Sequence, residues 1–303
     1  MKIVTLGTSG AIPTLRRNLP AVAVQREGDI FLFDCGEGTQ MQMMKAKLSL
    51  GKVKKIFVSH LHGDHVVGLP GLLMSLGQTS RRQPIFIYGP TGIKDYVLAN
   101  RKHLNFYCEY EIVLKEVDEG RISDEDEYWF EAVALDHNHL TLGYALIERE
   151  RPGKFLMEKA KDLGVEEGPL FGKLQRGEDI KLENGRVVHS RDVLGKPRRG
   201  RKVIYAADTR PCRRVAELSQ EADVLIHDGM FSQNEEKESR ERGHSTVTQV
   251  AQMAKEARVN RLILIHISAR YPDDKLLLEE AREIFPPTII GRDLMEVEVP
   301  LSR

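Results

Sequence analysis

A cluster of three histidines and one aspartate occurs early in the 303-residue chain. The stretch His-Leu-His-Gly-Asp-His spans residues 60–65 and follows a run of apolar residues typical of a buried strand. Side chains alternate in direction along a strand, so His60 and His62 project to the same side. The glycine after them permits a tight turn that brings Asp64 and His65 back over the strand end. Such a set suits zinc, manganese or iron, and the absence of cysteine argues against a purely structural zinc site.

Further side chains of the metal-binding type occur later in the chain, each just after a predicted strand. Asp208 follows one strand, His266 follows another, and a third strand leads into Asp-His-Asn-His at residues 136–139. In α/β sheets, binding sites lie at the carboxyl ends of strands. Taken singly, each residue could be a turn aspartate or a packed histidine. Together with the first cluster they supply enough ligands for two metal ions that share a bridging carboxylate.

The elements that must position these residues alternate between short β-type runs and helical stretches, the pattern of an α/β fold. The predicted strands are 2–6, 21–26, 30–34, 55–59, 85–88, 111–115, 128–134, 143–148, 202–206, 223–227 and 261–265. The predicted helices are 38–47, 65–76, 92–101, 154–163, 212–219, 246–257 and 274–283.

One segment, from about Arg149 to Arg201, interrupts this pattern with many glycines and no strong strand. Between Arg149 and Lys202 there are 15 Lys or Arg against 9 Asp or Glu, a local net charge of +6 in a chain whose total is zero. A connection this long inside a compact domain is usually functional or disordered. We interpret it as an excursion from one domain, because it carries too few apolar residues for a core of its own. A solvated basic loop is the simpler alternative.

Composition excludes several classes of protein. With 41% hydrophobic and 30% charged residues, the chain can bury a sizeable core and is neither disordered nor fibrous. No apolar run approaches the roughly 20 residues that a membrane span needs, and the first residues do not resemble a signal peptide. The three cysteines are too few and too scattered for a disulfide scaffold. We therefore expect a soluble, cytoplasmic protein.

The chain resembles the metallo-β-lactamase superfamily and, within it, the short form of the ribonuclease Z family, whose members process the 3′ end of tRNA. The resemblance covers nearly the whole chain, in order. It rests on these motifs: Gly7-Thr8-Ser9-Gly10 with Pro13 and Arg17-Asn18, Phe33-Asp34-Cys35-Gly36-Glu37-Gly38-Thr39-Gln40, residues 60–65, Gly68-Leu69-Pro70-Gly71-Leu72-Leu73, Gly143-Tyr144, Asp208-Thr209-Arg210-Pro211-Cys212, His227-Asp228-Gly229-Met230-Phe231, His244-Ser245-Thr246 and His266-Ile267-Ser268-Ala269-Arg270-Tyr271. The chain departs from the family at residues 206–207, where two alanines precede Asp208 in place of the usual glycine.

The resemblance implies a fold and a substrate. The fold is a four-layer αβ/βα domain over residues 1–303, from which a flexible arm at about 149–185 protrudes and binds tRNA away from the metals. In this arm the resemblance assigns RNA contact to Gly168, Pro169 and Lys173. The family is usually a homodimer, so a homodimer is expected here as well.

The resemblance also assigns roles to the ligand residues. It implies two Zn²⁺ ions, with Mn²⁺ possible. One ion is bound by His60, His62 and His137, and the other by Asp64, His65 and His266. Asp208 bridges the two ions. His137 has the family spacing to Gly143, which leaves His139 as an outer partner. Two divalent ions lower the pKa of a shared water and stabilise the entering and leaving oxygens in phosphoryl displacement.

Four further kinds of role are expected around the metals. Asp64 is the candidate general base, and His244 would donate to the scissile phosphate or protonate the leaving oxygen. Asp34 would hydrogen-bond a ligand histidine from behind. Phosphate contacts at the reaction face are expected from Arg17, Asn18, Arg210 and Arg270.

The expected activity is metal-dependent endonucleolytic removal of the 3′ trailer of precursor tRNA, by a cut 3′ of the discriminator nucleotide that leaves a 3′-hydroxyl. The alternative is a small-substrate hydrolase of the same fold, such as an arylsulfatase or a cyclic-nucleotide phosphodiesterase. A third interpretation, a non-catalytic RNA-binding or scaffold protein, predicts lost metal ligands, whereas all seven are present.

Overall fold

The computed structural model describes residues 1–79 and 81–301 and contains two seven-stranded β-sheets. The strands are β1 Lys2–Gly7, β2 Ser9–Gly10, β3 Ala21–Arg26, β4 Asp29–Phe33, β5 Val53–Phe57, β6 Ile85–Gly89, β7 Ile112–Glu116, β8 Gly120–Asp124, β9 Tyr128–Ala134, β10 Leu142–Glu148, β11 Ile180–Lys181, β12 Val187–Val188, β13 Lys202–Ala206, β14 Val224–Asp228, β15 Leu262–Ile265, β16 Ile267–Ser268, β17 Thr288–Ile290 and β18 Met295–Glu298.

Helices lie between many of these strands. They are α1 Thr39–Lys45, α2 Gly63–Val66, α3 Gly68–Gly77, α4 Ile93–His103, α5 Met157–Asp162, α6 Pro169–Gln175, α7 Ser190–Val193, α8 Arg213–Leu218, α9 Glu236–Arg242, α10 Val247–Glu256 and α11 Lys275–Ile284, with 3₁₀ turns at Leu50–Lys52 and Gln233–Glu235. No helix among the described residues is long and apolar enough to cross a membrane.

The two large sheets have a related design. The first has the order β18-β1-β3-β4-β5-β6-β7, in which β4, β5, β6 and β7 are parallel neighbours. The second has the order β17-β15-β14-β13-β10-β9-β8, in which β13, β14, β15 and β17 are parallel. Parallel strands end at the same edge of a sheet, so within the second sheet the loops that follow β13 and β15 can contribute side chains to one site.

Aromatic side chains join the two sheets face to face. The Phe57 ring of β5 lies 4.3 Å from Phe130 of β9 and 5.3 Å from Tyr144 of β10, and the Phe33 ring of β4 lies 5.4 Å from Tyr205 of β13. On its other face the first sheet buries apolar residues against α1, α3 and α4. Helices α8, α10 and α11 pack together, and α10 lies against β14 and β15 of the second sheet. The predicted four-layer αβ/βα arrangement is therefore confirmed.

All eleven predicted strands are present with small shifts at their ends, but the sequence reading missed several elements. The predicted helix 65–76 is two helices, α2 and α3, because the Gly68 amide donates to the Cys35 carbonyl at 2.9 Å instead of continuing α2. Pro70 has no amide hydrogen to donate, so it fits in the first turn of α3. The longer strands that went unpredicted are β8, β17 and β18, and the unpredicted helices are α6, α7 and α9.

Residues 147–201 form a compact unit of their own. Within it, Ala160, Val165, Phe171, Leu174, Ile180, Val188 and Val193 are buried as one apolar cluster, with Phe155, Leu163, Leu170 and Leu182 packed against them. The expectation that this segment lacks the apolar content for a core is therefore wrong. The apolar residues are spread singly among charges and glycines, and they converge only through α5, α6, α7 and the β11–β12 pair.

Candidate metal centre

The predicted ligands lie just after β5, β9, β13 and β15, with Asp64 and His65 on the short helix α2. The chain leaves β5 in extended form, and His62 is the N-cap residue of α2 with a φ of −64°. His60, His65, Asp208 and His266 are buried, whereas His62 and His137 are partly exposed. The sheet topology thus brings together residues that are up to about 200 positions apart in the sequence.

One set of ligand atoms comes from His60, His62, His137 and Asp208, which all lie within 4.8 Å of one another. Nε2 of His60 is 2.9 Å from Nδ1 of His62 and 3.7 Å from Oδ2 of Asp208. Three imidazoles and one carboxylate at these separations match the donor set of a tetrahedral zinc site.

A second set consists of Asp64, His65 and His266, whose ligand atoms also lie within 4.8 Å of one another. Oδ1 of Asp208 is 3.4 Å from Nε2 of His65 and 3.3 Å from Nε2 of His266. Asp208 therefore faces the first set with one carboxylate oxygen and the second set with the other, which is the position of a bridging ligand.

The polar atoms at the centre of this cluster fit a metal centre. Nε2 of His65, Nε2 of His137 and Oδ1 of Asp208 are buried without a hydrogen-bond partner. Leaving a buried polar atom unpaired costs about 1–3 kcal/mol, and a coordinated cation would satisfy all three. The nitrogen and oxygen donors, without sulfur, suit zinc or manganese.

The electrostatics of the cluster also favour a cation. Burial acts to raise the pKa of Asp64, but the neighbouring imidazoles of His266 and His65 hold it below its ordinary value. Burial and the neighbouring His65 lower the pKa of His60, so that His60 is neutral, the form that binds metal. His266 shows the opposite balance: burial acts to lower its pKa, but Asp208 and Asp228 raise it to about 10. Carboxylates therefore stay ionised in a buried site that needs positive charge.

Asp34 supports the second ligand set from behind, in the position that the sequence predicted for it. Its Oδ2 lies 2.7 Å from Nδ1 of His65 and accepts hydrogen bonds from Ser59 Oγ at 2.8 Å and from Tyr205 Oη at 2.6 Å. A carboxylate on Nδ1 orients the ring and leaves Nε2 for a metal. Asp34 adopts a left-handed φ of 58°, a strained conformation that this network maintains.

The sequence reading missed a backbone carbonyl that orients His137. Nδ1 of His137 donates to the Gly243 carbonyl at 2.8 Å, although the two residues are 106 positions apart. Gly243 has a φ of 85°, and a Cβ atom there would lie 2.6 Å from Nδ1 of His137. The position therefore requires glycine for both its conformation and its space. His139 lies beside His62, with their ring centroids 4.5 Å apart.

Asp228 was also missed as a functional residue. This fully buried carboxylate at the end of β14 lies 2.7 Å from Nδ1 of His244 and 3.7 Å from Nδ1 of His266. His244 in turn offers a ligand-type atom within 4.8 Å of Asp208 and His266. An acidic residue at the carboxyl end of a parallel strand was the available signal, the same one that identified Asp208.

The loop before β3 reaches the cluster through its backbone. The Ala11 amide donates to Oδ2 of Asp64 at 3.0 Å. The short parallel pair β2–β16 places Gly10 beside Ser268, and a Cβ atom on Gly10 would lie 2.8 Å from Nδ1 of His266. Backbone groups carry no residue-type signature, so the sequence did not reveal this contact.

The predicted RNA contacts are spread over two parts of the chain. Arg17 donates to Thr8 and to the Gly291 carbonyl and pairs with Asp274 at 2.7 Å, so its charge holds the loop together. The backbone amide of Asn18 donates to the Asp293 carboxylate at 2.7 Å.

Arg270 pairs with Glu235 and Glu238 and lies over the Phe231 ring. In the unit 147–201, Gly168 precedes α6, which begins at Pro169, and Lys173 is exposed on that helix. Contact of these residues with RNA stays a prediction.

Comparisons with known proteins agree with this geometry. A family model described as a beta-lactamase superfamily domain matches residues 188–267, and one described as anti-Pycsar protein Apyc1 matches residues 1–101. The chain is 45% identical over 301 residues to ribonuclease Z of Methanosarcina acetivorans, covering 99% of this chain and 98% of the relative. It is 46% identical over 303 residues to ribonuclease Z of Methanosarcina mazei, with the same coverage. The crystal structure of human tRNase Z, short form, matches with a TM-score of 0.73 at 28% identity, covering 99% of this chain and 100% of that one.

Proposed function

The chain belongs to the ribonuclease Z family and is an endoribonuclease of tRNA 3′ processing, and we propose that it uses two zinc ions to remove the 3′ trailer by a cut 3′ of the discriminator nucleotide. The observation that carries the proposal is the position of Asp208 between two ligand sets, with its two oxygens facing opposite sides. The product tRNA keeps a 3′-hydroxyl.

The metals and the protein have separate tasks in this proposal. Bound divalent ions supply a nucleophile at neutral pH and stabilise charge on the reacting phosphate. One ion would be held by His60, His62 and His137. The other would be held by Asp64, His65 and His266, and Asp208 would bind both ions. Zinc is proposed because imidazole nitrogens dominate the donor set, and manganese is the alternative.

Two side chains are proposed to move protons. Asp64 is the proposed general base, because its carboxylate lies within the ligand cluster, where it can accept a proton while it serves as a ligand. Nδ1 of His244 is engaged by Asp228, which leaves Nε2 to donate to the scissile phosphate or to the leaving oxygen. Asp228 acts through His244 and is a positioning residue.

The unit 147–201 is proposed to bind tRNA, through the basic segment that includes Gly168, Pro169 and Lys173. Its net positive charge suits the phosphate backbone, and its own apolar cluster can present that charge on a folded surface. Other contacts with RNA are proposed for Arg17, Asn18 and Arg270. We also propose that the protein acts as a homodimer, on precursor tRNA, in the cytoplasm.

The test is cleavage of a 3′-extended precursor tRNA, resolved on a denaturing gel with zinc, with manganese and with chelator. A single cut after the discriminator, lost with chelator and in His65→Ala, is the expected result. Intact RNA beside rapid hydrolysis of bis(p-nitrophenyl) phosphate or of a sulfate ester would overturn the proposal in favour of a small-substrate hydrolase.

A second experiment isolates the unit 147–201. Arg151 and Arg198 are antiparallel partners, with the Arg151 amide 2.8 Å from the Arg198 carbonyl. Replacing residues 152–197 by a short Gly-Asn turn should therefore close a hairpin without breaking the ladder. Loss of precursor cleavage with retained hydrolysis of bis(p-nitrophenyl) phosphate is expected; full precursor cleavage would refute the RNA-binding role of this unit.

A further inference from the structure

The edge of the first sheet away from the metal centre carries an open basic groove. Its lining consists of Asp29, Ser49, Gly51, Lys52, Lys54, Thr79, Arg81, Arg82 and Gln83, around a volume of about 680 Å³. These residues lie at or before the amino-terminal ends of β4, β5 and β6, whereas the ligand cluster follows the carboxyl end of β5. Lys54 and His60 are six residues apart along an extended segment, which corresponds to about 20 Å.

The groove contains more positive charge than its own carboxylate can balance. Four cations line it against the single carboxylate of Asp29, which pairs with Lys54 at 2.6 Å. Arg82 pairs with Glu109 at the surface. Within residues 1–79 and 81–301, neither Lys52 nor Arg81 has a carboxylate partner. Lys52 and Arg81 are thus left for an external anion, and Arg82, whose pair with Glu109 is solvent-exposed and therefore weak, can exchange that partner for a phosphate.

Arg81 is the buried cation of this groove. Its side chain is buried, with 7% of the residue exposed, and its three nitrogens donate to the carbonyls of Gln83, Gly51 and Pro84 at 2.7, 3.2 and 2.7 Å. Its guanidinium also lies over the Tyr110 ring. Carbonyls orient the guanidinium but do not neutralise it, and a buried charge without a counter-charge is costly. An anion in the groove would supply that counter-charge.

We propose that this basic groove binds backbone phosphates of the RNA substrate, at a distance from the bond that is cut; the inference rests on the proposed function. Lysine, arginine and hydroxyl groups, here including Ser49 and Thr79, are the usual partners of phosphate oxygens. No aromatic side chain lines the groove among the described residues, so it has no surface on which a base would stack. The groove holds the body of the RNA independently of its sequence.

The test removes two exposed charges and leaves the buried Arg81 in place. In the full-length protein, Lys52→Ala combined with Arg82→Ala should raise KM for a 3′-extended precursor tRNA by about tenfold, while hydrolysis of bis(p-nitrophenyl) phosphate stays unchanged. Because each phosphate contact contributes about 0.9 to the slope of log affinity against log salt in a duplex, that slope should become shallower by about 1–2. The charge-preserving pair Lys52→Arg and Arg82→Lys should keep both KM and slope near those of the unaltered protein.

The matched control is Lys255→Ala combined with Arg258→Ala, which removes two exposed charges at and just after the end of α10 and should change neither quantity. An unchanged precursor KM and salt slope in the groove variant would overturn the proposal. Binding of inorganic triphosphate to the unaltered protein, measured by calorimetry, would also overturn it if that binding disappears in the groove variant while the precursor KM stays unchanged. The groove would then bind a free polyphosphate. Failure of the unaltered protein to cut precursor tRNA would instead refute the proposed function.

Discussion

Oδ2 of Asp228 lies 2.7 Å from Nδ1 of His244, and both side chains are buried beside the ligand cluster. The contact orients the imidazole and leaves Nε2 as the ring nitrogen that Asp228 does not engage. His244 and His266 are stacked, with ring centroids 5.3 Å apart. The single carboxylate of Asp228 therefore contacts His244, the proposed proton-transfer group, and stands beside His266, a proposed metal ligand.

Asp228→Asn should lower kcat for precursor tRNA by about 10- to 100-fold, the usual loss when a partner of a site histidine is removed. The amide keeps the size of the carboxylate but removes its charge. In a double-mutant cycle with His244→Ala, the second substitution should add little, because both disrupt the same group. Fully additive losses in kcat would contradict the positioning role.

Removal of metal should destabilise the protein as well as inactivate it. A ligand present at about 1,000 times its dissociation constant stabilises the folded state by about 4 kcal/mol, which corresponds to roughly 8–16 °C in melting temperature for a chain of this size. Scanning calorimetry with and without chelator should show this loss, and added zinc should reverse it. In His65→Ala the chelator should have a much smaller effect; an equal effect there would place the metal elsewhere.

Gly243→Ala should displace His137, because the new Cβ would lie 2.6 Å from its Nδ1. Metal content and kcat/KM should both fall, the latter by about tenfold or more. Gly28→Ala is the matched control: Gly28 has a similar φ of 91°, with nothing within 4 Å of a new Cβ. It should lose about 1–2 kcal/mol of stability from its left-handed conformation and keep its metal. Equal activity in the two variants would refute the packing argument.

Leu174→Ala should unfold the unit 147–201 selectively. Leu174 is fully buried in the apolar cluster of that unit, and such truncations cost about 2–5 kcal/mol, which a unit this small cannot absorb. Limited proteolysis should cleave within 147–201, and precursor cleavage should fall while bis(p-nitrophenyl) phosphate hydrolysis persists. Leu170→Ala, at a partly buried position of the same helix, should have a milder effect on both readouts.

The sequence by itself determined the strand pattern and the ligand types, because both depend on local spacing. The alternation of His60 and His62 in the extended segment after β5, and an Asp or His just after three other strands, are visible within a few residues each. The helix break at Gly68 and the core of residues 147–201 were not visible, because the first depends on a contact with Cys35 and the second on residues scattered among charges.

Only the tertiary structure decided which groups other than Asp34 orient the ligands. The carbonyl of Gly243, the amide of Ala11 and the carboxylate of Asp228 reach the site from distant segments. Two of these are backbone groups, which every residue carries, and the third resembles any buried turn aspartate. Their roles arise from the packing of two sheets that brings the strand ends to one edge, and long-range packing of this kind leaves no local pattern in the sequence.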